Sequence, residues 1–102
     1  MTNCIFCKIR DGEIPSKFVY EDDYCFAIND INPKAKKHIL VIPKTHVESL
    51  NEVEDNILIA HMFDAIRKIN DIENIKHFKT QINTGSQAGQ EVMHLHIHIL
   101  AN

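Results

Sequence analysis

The chain has no excess of positive charge, no long apolar run, no internal repeat and no tract of low complexity. Each absence removes a class of function. Eleven Lys and Arg stand against fourteen Asp and Glu, a formal charge of −3. A surface that coats nucleic acid needs a basic excess to displace counterions, so no nucleic-acid partner is expected. Apolar runs such as Ile39 to Ile42 have the length of a strand and not of a membrane span, so no membrane association is expected. The opening Met1-Thr2-Asn3-Cys4 is polar and does not read as an export signal. Cysteines are few and odd in number, three in all. That usage fits a reducing compartment, the cytoplasm, and argues against a disulfide framework. No linker divides the 102 residues, which read as one domain, 1–102, near the lower size at which a chain buries a good core unaided. So short a chain gains from pairing with a copy of itself or from a bound metal.

What is present is the mixture of an ordinary globular protein, 44% hydrophobic and 25% charged. Ile5 to Arg10 reads as a short helix stopped by Asp11-Gly12, with Pro15 setting the turn that follows. Lys17 to Glu21 and Tyr24 to Asn29 flank Glu21-Asp22-Asp23 as a hairpin. Asp30 to Lys37, with Asn32-Pro33 inside it, reads as a loop. His38 to Pro43 is a β-branched run that reads as a buried strand. Leu58, Met62, Ile66 and Ile69 recur at helical spacing and predict a long helix from about Glu52 to Asn70. Asn51 and Glu54 resemble a capping box at its start. Phe78 to Asn83 reads as a strand, Thr84 to Gln90 as a glycine-bearing loop and Val92 to Leu100 as the last strand. Strands on both sides of one long helix predict an α+β domain with a mainly antiparallel sheet.

The chemistry lies near the end. His94, His96 and His98 alternate with Leu95, Ile97 and Ile99. On a strand, side chains have period two, so the three imidazoles share one face, expected to look into a wet pocket. On a helix the same spacing scatters them. Buried imidazoles need partners and resist charging, so such an array is costly without a purpose. Three readings stand on the residues alone: incidental histidines, a metal site, or an imidazole that attacks phosphorus and forms a phosphoramidate that water later opens. The preceding loop, Asn83-Thr84-Gly85-Ser86-Gln87-Ala88-Gly89-Gln90, favours the third, because its amides offer a nest for phosphate oxygens. Cys4-x-x-Cys7 stays open: a redox pair belongs after a strand at the head of a longer helix, and a closed zinc site needs two further ligands. Asp30 reads by itself as a loop cap, Cys25 as core, and His61 and His77 as surface residues.

His94-Leu95-His96-Ile97-His98-Ile99-Leu100 resembles the histidine-triad signature, three histidines each followed by an apolar residue. The likeness extends through Ile5-Phe6-Cys7-Lys8-Ile9, Gly12-Glu13-Ile14-Pro15, Tyr20-Glu21-Asp22-Asp23, Asp30-Ile31-Asn32-Pro33, His38 to Lys44 and Gly89-Gln90. It points to the histidine-triad (HIT) family, in its branch of purine nucleoside phosphoramidate hydrolases. The resemblance implies a HIT-like fold and a nucleoside monophosphate held covalently on His96. It implies that His98 contacts the phosphate and helps protonate the leaving group. The carbonyl of His94 would orient the ring of His96, with His38 completing the set. Asp30 matches the residue that holds the ribose hydroxyls. Ile5, Phe6, Ile9, Ile28, Asn29 and Leu40 match positions around the base; Asn83, Gly89 and Gln90 lie at the phosphate side. Core packing is the plainer explanation of the apolar members of that set. Metal-bearing relatives imply a structural zinc on Cys4, Cys7, His46 and His94, with no catalytic metal. A homodimer is also implied, through the long helix and an edge strand. The four residues after His98 are fewer than the branch usually carries, which leaves the leaving-group preference open. Other functions consistent with the family are dinucleoside polyphosphate hydrolysis and binding of purine nucleotides or protein partners with vestigial turnover. A metalloenzyme built on the triad is a further class.

Overall fold

The computed structural model describes residues 3–102; Met1 and Thr2, the start of the polar opening segment, lie outside them. Among the described residues the elements are α1 (Ile5–Arg10), β1 (Phe18–Glu21), β2 (Cys25–Asn29), β3 (Lys37–Pro43), α2 (Asn56–Glu73), β4 (Lys79–Gln81) and β5 (Ile97–Ala101). These five strands form one antiparallel sheet in the order β1-β2-β3-β5-β4. The α+β class and the mainly antiparallel sheet expected from the sequence are what the chain adopts. Among the described residues no helix is long and apolar enough to cross a membrane.

The β1–β2 hairpin closes because Asp22 mimics the backbone of a turn. Its Oδ1 accepts from the amides of Tyr24 and Cys25, each at 2.7 Å, while the amide of Asp22 donates to the Cys25 carbonyl at 2.9 Å. The two central strands are apolar on both faces, and each face has its own partner. Cys25, Ala27, Ile39 and Val41 pack with Met62, Ala65, Ile66 and Ile69 of α2. Phe26, Ile28, Leu40 and Ile42 pack with Phe6 and Ile9 of α1. Leu95, Ile97 and Ile99 join the α2 side, so the alternating histidines are turned toward α1.

Several boundaries differ from the sequence expectation. The long helix starts at Asn56 and not near Glu52: Asp55 is its N-cap, its Oδ1 accepting from the Ile57 amide at 2.9 Å, and Leu50–Glu52 form a separate 3₁₀ turn. The helix runs three residues past Asn70 and ends on Asn74 in the left-handed conformation, φ 56°. The last strand starts at Ile97 and not at Val92, because the Leu95 amide donates to the Val47 carbonyl at 2.7 Å instead of joining the ladder. β4 shrinks to Lys79–Gln81 for a related reason. Its Gln81 sits opposite His98, one residue from the start of β5, and Asn83 beyond it turns into the following loop, donating from Nδ2 to the Ala88 carbonyl at 2.7 Å.

Candidate active site

β3 and β5 run side by side, with Leu40 opposite His98 and His38 opposite Leu100. That register, with the alternation before it, brings His38, His96 and His98 to one cavity of about 530 Å³. His94 and His96 lie before the first residue of β5, yet they keep the period-two alternation. The apolar part of the wall comes from α1, β2 and β3, with Ile5, Phe6, Ile9, Ile28 and Leu40 in the lining. Asp30, Asn29, Asn83 and Gly89 line it as well.

Hydrogen-bond roles set the protonation of each ring. The Lys34 amide donates to His38 Nδ1 at 3.0 Å, so neutral His38 carries its proton on Nε2. That proton is donated to His98 Nδ1 at 2.8 Å, which leaves the His98 proton on Nε2. His96 Nδ1 lies 2.7 Å from the His94 carbonyl. A carbonyl only accepts, so Nδ1 carries the hydrogen and Nε2 keeps a free lone pair. The same argument applies to His94: its Nε2 donates to the Pro43 carbonyl at 2.8 Å, so the Nδ1 lone pair is exposed to the cysteines. Burial lowers the pKa of all four rings: His94 and His98 fall to about 4, and His38 and His96 fall as well. For His98 the neighbouring His96 and His38 push in the same direction. For His38 the Asp30 carboxylate, 3.5 Å away, pulls upward, but desolvation is the larger effect. At neutral pH the rings are uncharged, which a nucleophilic nitrogen requires.

This depression has a consequence for stability. An unfolded chain takes up protons on these rings near pH 6.5, while the folded chain refuses them, so stability falls as pH drops through the window between about 6.5 and about 4. The thermal midpoint is expected to be lower at pH 5 than at pH 7, and the difference to shrink in His98→Asn. Midpoints that do not change between these pH values would show that the rings are not held neutral by folding.

Asp30 has two contacts. Its Oδ1 accepts from the Asn32 amide at 2.8 Å, the loop cap read from the sequence, while Oδ2 approaches His38. Gln90 is absent from the cavity wall. Its side chain is a clamp: Oε1 accepts from the Gly85 amide, and Nε2 donates to the carbonyls of Glu48 and Val92. The expected nest of free amides is also altered, because the amides of Gly85, Ala88, Gly89 and Gln90 all donate within the loop. Gly89 itself is required there: φ is 92°, and a Cβ would stand 3.2 Å from Asn83 Nδ2. Two contributions were not legible in the sequence. The Lys34 amide sets the tautomer of His38, and Phe6 presents its ring edge-on to His94 and His96, at centroid distances of 5.8 and 5.1 Å. The resemblance makes Phe6 a base neighbour and its apolar character fits core packing; nothing in its spacing points to His96.

His94 turns its ring away from the cavity into a second cluster. Its Nδ1 lies 3.2 Å from Cys4 Sγ, 3.6 Å from Cys7 Sγ and 3.1 Å from His46 Nδ1, and the four ligand atoms fall within 4.8 Å of one another. Burial first, and then the neighbouring Cys4, raise the Cys7 pKa. Cys25 is fully buried core. His77 is exposed, whereas His61 is half-buried, stacked on Tyr24 at 3.5 Å.

A cavity carrying three neutral imidazoles, with an adjacent thiol–imidazole cluster, is the arrangement the resemblance anticipates. The HIT domain matches residues 11–102, and the chain belongs to the histidine-triad family. It is 48% identical over 103 residues to Protein HitA of Neisseria gonorrhoeae, covering 98% of this chain and 96% of that one. Among solved structures it resembles a HIT family hydrolase from Legionella pneumophila, with TM-score 0.92, 39% identity, and 98% and 93% of the two chains covered. It also resembles a histidine triad nucleotide-binding protein from Candida albicans, with TM-score 0.88, 30% identity, and 95% and 73% covered.

Proposed function

We propose that this chain hydrolyses purine nucleoside 5′-phosphoramidates, or related nucleoside phosphate conjugates, through a nucleotide held covalently on His96. The observation that carries the reading is the 2.7 Å bond from His96 Nδ1 to the His94 carbonyl, which leaves Nε2 as the available nucleophile. The apolar wall of Phe6, Ile9, Ile28 and Leu40 suits a flat base, and Asp30 suits the ribose hydroxyls as an acceptor. Nε2 of His96 attacks phosphorus and the bond to the leaving nitrogen breaks. The bound phosphate anion offsets the burial that keeps His98 neutral, so His98 takes up a proton on Nδ1 with the substrate, and the His38 Nε2 proton turns from that nitrogen toward Asp30 Oδ2, 3.5 Å away. His98 gives its Nε2 proton to the departing nitrogen, and the amine leaves. Water then attacks phosphorus, the bond to His96 breaks, and the proton of the water goes to His98. The relatives described as a hydrolase and as a nucleotide-binding protein agree with this reading. Mass spectrometry of protein quenched during turnover of an adenosine phosphoramidate is the test, and a nucleoside monophosphate adduct on His96 is the expected result. Binding of AMP with no adduct and no product would instead make the chain a binding protein. Efficient cleavage of dinucleoside polyphosphates alone would move it to the neighbouring hydrolase class.

The second cluster fits zinc: two thiols and two imidazoles suit it better than oxygen-seeking magnesium or calcium, and the His94 Nδ1 lone pair is already directed there. Cys4, Cys7, His46 and His94 would hold the ion, which would supply a tie between the N-terminus and the sheet and no step of the reaction. Protein purified without added zinc or chelator is expected to contain about one zinc per chain, and chelation to lower the thermal midpoint. Metal-free protein with an unchanged midpoint would leave only two neighbouring thiols.

A homodimer completes the reading. α2 leaves Ile57 65%, Phe63 38% and Ile72 63% exposed, and Phe78 before the edge strand β4 is 43% exposed. A twofold partner covering part of this helix and the edge strand would take apolar side chains such as these out of water. Light scattering is expected to give twice the chain mass, 11.8 kDa; a monomer at working concentration would exclude it.

A further inference from the structure

We infer that the thiol–imidazole cluster and the nucleotide cavity are linked, so that a metal ion in the cluster tightens nucleotide binding. The inference rests on reading the cluster as a zinc site and the cavity as a nucleotide pocket. The link is α1. A helix of six residues does not hold itself together in water, since nucleation outweighs what so few hydrogen bonds return. Its place on the sheet is therefore set by what grips it. Cys4 caps it, Sγ accepting from the Cys7 amide at 3.3 Å, and Cys4 and Cys7 both face His94. Between those two cysteines in the chain is Phe6, whose side chain is wall of the cavity and edge-on neighbour of His96. The same short helix and its N-cap thus carry two ligands of the cluster and one wall of the pocket.

The other half of the link is His94. Its ring belongs to the cluster, and its carbonyl holds the nucleophile at 2.7 Å. His46, the fourth member, comes from the segment after β3 and stands 3.3 Å from Cys7 Sγ. An ion bound to all four ties three stretches of chain together: α1, the exit of β3 and the approach to β5. Without it, α1 rests on its apolar contacts, the Arg10 bond to the Lys44 carbonyl at 2.7 Å and the thiol–imidazole contacts of Cys4 and Cys7 with His94 and His46, which are weaker than metal–ligand bonds. With it, Phe6 and the His94 carbonyl are held where the nucleotide meets them. Ordering paid at the metal site is then no longer paid on nucleotide binding, which is positive coupling.

Coupling of this kind is reciprocal, so two independent binding measurements report one factor. AMP affinity would be measured by calorimetry on zinc-loaded and zinc-free protein, and zinc affinity by competition with a chromophoric chelator with and without saturating AMP. Each ligand is expected to tighten the other by the same factor, on the order of 10 within the usual 5- to 150-fold range. Phe6→Ala and Phe6→Leu are expected to weaken AMP binding, keep zinc, and bring the factor toward 1. If zinc and AMP both bind but neither alters the other, the linkage is wrong while the two sites stand. If the Phe6 variants keep the full factor, α1 is not its route. If zinc does not bind at all, or AMP does not, the failure lies in the reading of the sites on which the linkage rests.

Discussion

His96→Ala is expected to fold and to lose turnover by a factor of ~10⁴ or more, the scale seen when a covalent nucleophile is removed. The sequence placed this residue in a wet pocket, but the structure leaves it only 8% exposed, against the ring of Phe6. The substitution therefore removes packing as well as the proposed nucleophile. Two features protect the fold. The vacated volume opens into the existing cavity, where water replaces the ring, and the aliphatic side chains on the opposite face, Leu95 and Ile97, remain packed against α2. A cooperative thermal transition, read alongside the rate, separates loss of chemistry from loss of structure. His96→Gln keeps more of the side-chain volume and serves as a second check. Near-normal turnover in a folded His96→Ala protein, with His98→Ala dead, would move the nucleophile elsewhere and leave a directly activated water as the alternative.

His98→Ala should behave differently, because on the proposed route it removes a proton donor and not the attacking atom. A positioned acid contributes roughly 10²- to 10⁴-fold, and the loss is expected to depend on the leaving group. An alkylamine leaving from phosphorus needs the proton, so the full loss is expected there. A nitrophenyl ester leaves as a stable anion, and its rate should fall far less. Steady-state rates of both substrates in wild-type and His98→Ala protein decide the matter; equal losses would mean that His98 binds phosphate without acting as an acid. His38 supports this role from behind. It donates to His98 Nδ1 at 2.8 Å while accepting from the Lys34 amide, and so keeps the His98 proton on the nitrogen remote from His38.

Much of this protein is local and was therefore legible. The alternation of His94, His96 and His98 with aliphatic residues encodes two faces in adjacent letters. Asp22 with its neighbours encodes a turn in the same way. Cys4 and Cys7, three apart on one helical turn, were bound to lie together. The apolar stripe of α2 set the existence of the helix but not its start: Asn51 with Glu54 resembled a capping box, and the capping bond of Asp55 to Ile57 puts the start at Asn56 instead.

What the tertiary structure alone decided depends on bonds between residues distant in the chain. The Leu95 amide donates to Val47, and this bond delays β5 until Ile97. Gln90 ties its loop to Glu48, 42 residues away, so a residue that local pattern placed beside phosphate is occupied as a clamp. His46 meets Cys7 across 39 residues, and His94 meets Cys4 across 90. The division has a physical cause. Side-chain periodicity and turn chemistry act over a few residues and leave a trace in the letters, whereas a single hydrogen bond to a distant carbonyl selects no residue type and leaves none. The sequence by itself determined which side chains are available for chemistry; the Lys34 amide and the carbonyls of His94 and Pro43, brought to the rings by the folded chain, decided which nitrogen of each imidazole is free.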